Sequence, residues 1–203
     1  MNNTNKLIFF ITLFVLASCT LMETPKDNTP RLLSQWAVSA TASDSYGGSG
    51  QNIDDQSAYA ATGKPNVKNC ENSNYAWTIS RENDGIHWIE LNYDIPVYVN
   101  KVRVYENFNP GSVIKIELKK DNDYETLWQG SYKTKQCPYV LEKEYRSLEG
   151  NITKNITSYK TDTIRITVDT DVPGWNEIDA VELIGYEKKF TILNGTIVFE
   201  NED

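Results

Sequence analysis

Glu106 and Glu177 stand in two polar stretches far apart in the chain. A pair of carboxylates brought together across a cleft is the apparatus of glycoside hydrolysis, but a sequence supplies no distance between them. His87 is the only histidine, set in an apolar run beside Trp88, so a histidine-assisted triad has one candidate and no evident partner. A simpler role for it is that of a residue at a sheet surface. Gly47-Gly48-Ser49-Gly50 lacks the lysine and the following helix that a phosphate-cradling loop needs. No catalytic set emerges, and the chain is expected not to be an enzyme.

The same glutamates read better as hydrogen-bond acceptors. Trp175-Asn176-Glu177, followed by Asp179, puts a flat apolar ring beside oxygen-bearing side chains, and Glu106-Asn107-Phe108-Asn109-Pro110-Gly111 is a turn-forming loop. Such a surface suits a polyhydroxylated ligand or a cation. The expected ligand-binding set is Glu106, Asn107, Asn109, Trp175, Asn176 and Glu177, with Tyr46 and Trp77 as stacking platforms. The competing reading makes Trp175 a plug at one end of a β-sandwich, with the polar groups tying down loop backbone.

Strands must position these loops. His87 to Tyr93, Val97 to Tyr105, Val113 to Leu118, Tyr124 to Gln129, the run holding Ile164, Ile166 and Val168, and Ile178 to Ile184 alternate or concentrate β-formers between Asn, Asp, Gly and Pro breaks. Ser57 to Ala61 reads as a single helical turn, and no convincing amphipathic helix follows it. The expected fold is all-β, a jelly-roll sandwich over residues 35–186. Residues 187–203 form a C-terminal extension whose Asn194-Gly195 pair marks a hairpin turn.

Residues 1–18 read as a targeting segment, with Lys6 ahead of a short apolar run from Leu7 to Leu16. Leu16-Ala17-Ser18-Cys19 matches a bacterial lipoprotein signal, in which Cys19 becomes the lipidated N-terminus; an ordinary signal peptide is the alternative. Thr20 rather than Asp at the next position resembles lipoproteins of the outer membrane. Residues 19–34, with Pro25 and Pro30, read as a tether. Of three cysteines, this leaves Cys70 and Cys137, which an exported chain is expected to join; two free thiols are the alternative. Net charge is −8, and basic residues cluster only in pairs such as Lys119-Lys120. Binding to nucleic acid by charge is therefore not expected.

An ordered set of segments carries a family resemblance: Trp36-Ala37, Ala60 to Pro65, Cys70, Ala76-Trp77, Trp88 to Leu91, Val104 to Glu106, Asn109 to Val113, Leu127 to Gly130, Cys137-Pro138 and Trp175 to Val181. The chain resembles the discoidin-like (coagulation factor type C, galactose-binding-like) superfamily, in the branch found in pappalysins and secreted bacterial proteins. The resemblance implies a jelly roll that binds rather than catalyses. Its partners would be carbohydrate or a protein of the cell envelope, with the membrane reached through the lipid. It also implies a structural calcium held by carbonyls of the Ser57–Asn66 loop and by Glu182, although Thr62-Gly63 stands where the sugar-binding branch has Asp-Gly.

Overall fold

The computed structural model describes residues 30–149, 152–193 and 196–199. Their strands are β1 (Leu32–Trp36), β2 (Ser39–Ala42), β3 (Ile86–Phe108), β4 (Val113–Lys120), β5 (Asp123–Gln129), β6 (Tyr139–Glu144), β7 (Ser147–Glu149), β8 (Ile152–Lys154), β9 (Lys160–Asp169), β10 (Glu177–Tyr186), β11 (Phe190–Leu193) and β12 (Thr196–Phe199). Every strand pair is antiparallel. One 3-10 turn, Ala58–Ala61, is capped by the Ser57 hydroxyl, which accepts from Tyr59 N. No helix among the described residues is long and apolar enough to cross a membrane.

The two runs read separately as 87–93 and 97–105 are one strand, β3. Its register against β9 slips between Asn92 and Val97, around Pro96, and there the strand passes from one layer to the other. Before the slip β3 lies between β2 and β9, with β4 and β5 beyond; after it, β3 lies between β10 and β6, with β1 outermost. Alternate residues turn inward, so Ile89, Leu91, Val102, Val104, Ile116, Leu118, Ile164, Ile166, Val181 and Leu183 form the core. Burying each such side chain contributes roughly 1.5–3 kcal/mol before chain entropy is counted.

β10 is buried along nearly its whole length, from Glu177 to Gly185. β1 begins at Leu32, which faces Tyr186, so the end of the segment expected to be tether is part of the sandwich. β6 and the paired strands β7 and β8 add to the strands expected from the sequence. β11 and β12 pair where a C-terminal hairpin was expected, and Phe190 packs edge-on against Tyr186 at 4.9 Å. The Asn194-Gly195 turn, the targeting segment and Cys19 lie outside the described residues.

Candidate functional site

The loops at one end of the sandwich are held by buried carboxylates at strand ends. Glu106 accepts from Gly111 N at 3.0 Å and from the Tyr132 hydroxyl. Glu177 takes Ser73 N at 3.0 Å and Asn107 Nδ2 at 2.6 Å. Asp179 takes the amides of Asn66 and Val67, each at 3.1 Å. Burial raises the pKa of all three against these donors; Glu177, with the charge of Asp179 adding to the effect, is pushed up to about 7. Gly111 sits at φ 120°, a conformation that favours glycine, and so can bring its N–H round to Glu106.

A second set of bonds clasps the two loops directly. Asn109 Nδ2 donates to Trp175 O at 2.8 Å, and Asn176 Nδ2 donates to Asn109 O at 2.9 Å. Gly174, at φ 96°, leaves room for this, since a Cβ there would stand 2.6 Å from Asn109 Nδ2. Thr78 joins in, donating its hydroxyl to Asn176 O while its own carbonyl takes Tyr46 N. The result is a fixed aromatic ledge: Tyr46 meets Trp175 edge-on, ring centroids 5.6 Å apart, and Tyr46 is 59% exposed.

This arrangement divides the expected binding set. Trp175 and Asn109 are partly exposed. Glu106, Asn107, Asn176 and Glu177 are buried, and their hydrogen bonds run to loop backbone, to one another and, for Glu106, to the Tyr132 hydroxyl. That corrects the expectation that they face a ligand: irregular loops need acceptors for their amides, and these side chains supply them. Asn107 Oδ1 and Asn176 Oδ1 have no hydrogen-bond partner among the described residues. Trp77 is likewise no platform. It is 1% exposed, with its indole N–H shared between Asp44 O and Ser45 Oγ. The reading of Glu106 and Glu177 as a hydrolytic pair fares no better, because each carboxylate is enclosed in its own set of donors.

Calcium at Glu182 does not fit the residues present. The Glu182 carboxylate accepts from the Ser34 hydroxyl at 2.5 Å, and from Arg103 Nη1 and the Tyr105 hydroxyl at 3.2 Å each. The guanidinium already provides the positive charge. In the Ser57–Asn66 loop it is the Asn66 amide that meets Asp179 of β10, and the carbonyls of Ser57 and Tyr59 are taken by Ala60 and Thr62. The guanidinium and the amide both have the wrong sign for a cation. A different group could hold a metal ion: Asp44, Asp84 and His87 place one ligand atom each within 4.8 Å of one another. His87 also has neighbours that the sequence did not reveal, Ser43 Oγ at 3.3 Å from Nδ1 and Asp84 Oδ2 at 3.4 Å from Nε2. Ser43 and His87 meet through the pairing of β2 with β3, which no local spacing announces.

Cys70 and Cys137 form the expected disulfide, which fastens the long irregular stretch before β3 to the segment leading into β6.

Among solved structures, the chain is similar to allantoicase from Saccharomyces cerevisiae, with 14% identity over 76% of this chain and 43% of that one, at a TM-score of 0.50. The family 32 carbohydrate-binding module of C. perfringens NanJ, solved with galactose, is similar at 13% identity, covering 75% of this chain and 99% of the module, at 0.49. Truncated AlyQ, with its CBM32 and alginate lyase domains, is similar at 17% identity and 0.49; 78% of this chain is covered but only 34% of that one. At 14% identity the likeness to allantoicase speaks for the fold alone. No curated protein matches the chain. The profile described as pappalysin-1, SD scarf domain, C-terminal, matches residues 26–192, which span both layers of the sandwich and the disulfide. The chain belongs to the pappalysin-1 SD scarf domain family.

Proposed function

We propose that this protein is a non-catalytic carbohydrate-binding domain, displayed by an exported lipoprotein anchored through Cys19, at the outer membrane. The observation that carries the binding reading is the Tyr46–Trp175 ledge: two aromatic rings at the loop end, one of them largely exposed, on backbone fixed by Asn109, Asn176 and Thr78. Rings held this way offer a sugar its stacking face without an ordering cost at the moment of binding. The carboxylates behind the ledge serve as its footing. In place of a direct contact from Glu106 or Glu177, polar recognition falls to groups at the rim, Asn109 among them.

A glycan array probed with the purified protein tests the proposal. Trp175→Ala is expected to weaken the strongest signal roughly thirtyfold, the equivalent of about 2 kcal/mol of lost aromatic burial. An array silent for the unaltered protein, or one indifferent to Trp175→Ala, would sink the carbohydrate reading. The anchor has its own test. Palmitate fed to growing cells should label the unaltered chain and not Cys19→Ala; equal labelling of both excludes lipidation at Cys19.

A further inference from the structure

β2 is the outermost strand of its layer, pairing with β3 alone. Ser43 N donates to Trp88 O at 2.9 Å, and the register runs Thr41 to Glu90 and Ser39 to Asn92. A bulge at Val38, whose N–H also reaches Asn92 O at 2.8 Å, closes that ladder. By the alternation of an antiparallel pair, the N–H and C=O groups of Ala40 and Ala42 therefore point away from β3. None of the four has a hydrogen-bond partner among the described residues.

They open onto a cleft of about 500 Å³, whose other walls include Gly48, Gly50 and Tyr59. The strand sequence Ser-Ala-Thr-Ala leaves its backbone accessible and carries neither charge nor proline, the usual protections of an edge. The other edges differ. β6 exposes Glu142 and Glu144, β5 exposes Asp123, and β1 follows exposed Arg31. The only charged residue lining the cleft is Asp44, whose carboxylate accepts from Ser80 N and Oγ. Asp84 lies close by.

We infer that the free edge of β2 is a docking site for an extended, basic segment of a partner protein, which joins the sheet as an additional strand. The two outward pairs of backbone groups lie two residues apart, about 7 Å, which is the repeat of a partner strand. Small side chains on β2 admit that backbone, and Asp44 favours a lysine or arginine at the segment's end. A sugar would find one half-buried ring in the cleft, Tyr59, and no open stacking face. The cleft shares the loop of Tyr46 but is lined by neither ring of the Tyr46–Trp175 ledge, so failure of docking leaves the carbohydrate reading untouched.

The test follows amide exchange by NMR in the full chain as acetyl-Lys-Thr-Val-Thr-Val-Lys-amide is added. Exchange at Ala40 and Ala42 is expected to slow at least tenfold at saturation. A fully N-methylated counterpart, which cannot pair, should bind at least tenfold more weakly, as should a version with glutamate in place of lysine. Ala40→Pro removes an outward donor without touching the β3 ladder and should abolish the effect. If that variant does not fold, the methylated peptide decides the matter on the unaltered protein. Unchanged exchange at Ala40 and Ala42, or equal binding of the methylated or glutamate peptide, overturns the proposal. So does protection that grows with protein concentration without peptide, since the occupant would then be a second copy of this chain.

Discussion

Replacing Cys70 and Cys137 together by alanine is expected to lower the unfolding free energy by about 4 kcal/mol. The bridge closes a separation of 67 residues, and the chain-entropy relation for a loop of that length gives about 4 kcal/mol. Its position adds a native-state reason. Between the 3-10 turn and β3 the chain runs from 62 to 85 without a strand of its own, tied by hydrogen bonds to Asp179, Glu177, Asn107 and Asp44 and by a backbone bridge from Trp77 to Ile178. Each bond contributes only about 1 kcal/mol net, so no one of them replaces a covalent link. For a domain of this size, 4 kcal/mol corresponds to a fall in melting temperature of roughly 10–15 °C. Urea unfolding of the double variant beside the oxidised parent measures it. A loss under about 1 kcal/mol would mean that the stretch is held by its hydrogen bonds and not by the bridge.

The strands that form the core could be read from sequence because each repeats every second residue on a face that must leave water. Ile114, Ile116 and Leu118 announce β4, although within that run it is Ile116 and Leu118 that reach the core while Ile114 stays partly exposed. β6 could not be read this way. Only Leu141 is fully buried, with Tyr139 packed partly against the core, among Val140, Glu142 and Glu144 that face out, and so short a run makes no clear period. β1 follows a proline-bearing polar stretch and contributes backbone pairing more than apolar burial.

The site was half legible. Trp175 and Tyr46 belonged together as aromatics in loops, but a polar side chain beside them has the same signature whether it faces solvent or an unpaired amide. The clue lay elsewhere in the chain. In the long strandless stretch 62–85 the amides of Asn66, Val67 and Ser73 have no strand partner, and carboxylates at the start of β10, Asp179 and Glu177, are drawn inward to meet them. Glu182 was misplaced for a related reason. Its partners Ser34 and Arg103 lie on strands that flank it in space, and a motif match in one dimension cannot see a guanidinium on the adjacent strand.

The buried carboxylate at Glu177 carries the second large effect, a stability that depends on pH with a defined sign. Burial lifts its pKa from the ordinary 4.5 to about 7, despite the donors Asn107 and Ser73. Between those values the folded chain keeps a proton that the unfolded chain has released. The native state is therefore favoured fully below about pH 4.5, and that contribution is lost as pH rises to about 7. A shift of this size is worth about 3 kcal/mol. Glu177→Gln retains an acceptor for Ser73 N but cannot titrate, so its stability relative to the parent should improve by about 3 kcal/mol between pH 4 and pH 8. Glu106, raised in the same direction, is present in both proteins and cancels in the comparison, while the charge coupling of Asp179 to Glu177 is part of the effect that the substitution removes. Asp44 and Asp55 do not intrude, because burial there is outweighed by hydrogen bonds from Ser80 and Ser57, and their contribution is lost only in more acid solution. Urea unfolding of both proteins at a series of pH values reads the difference directly. A flat difference from pH 4 to pH 8 would mean that Glu177 ionises as readily folded as unfolded, and that its amide donors fully offset the burial of its charge.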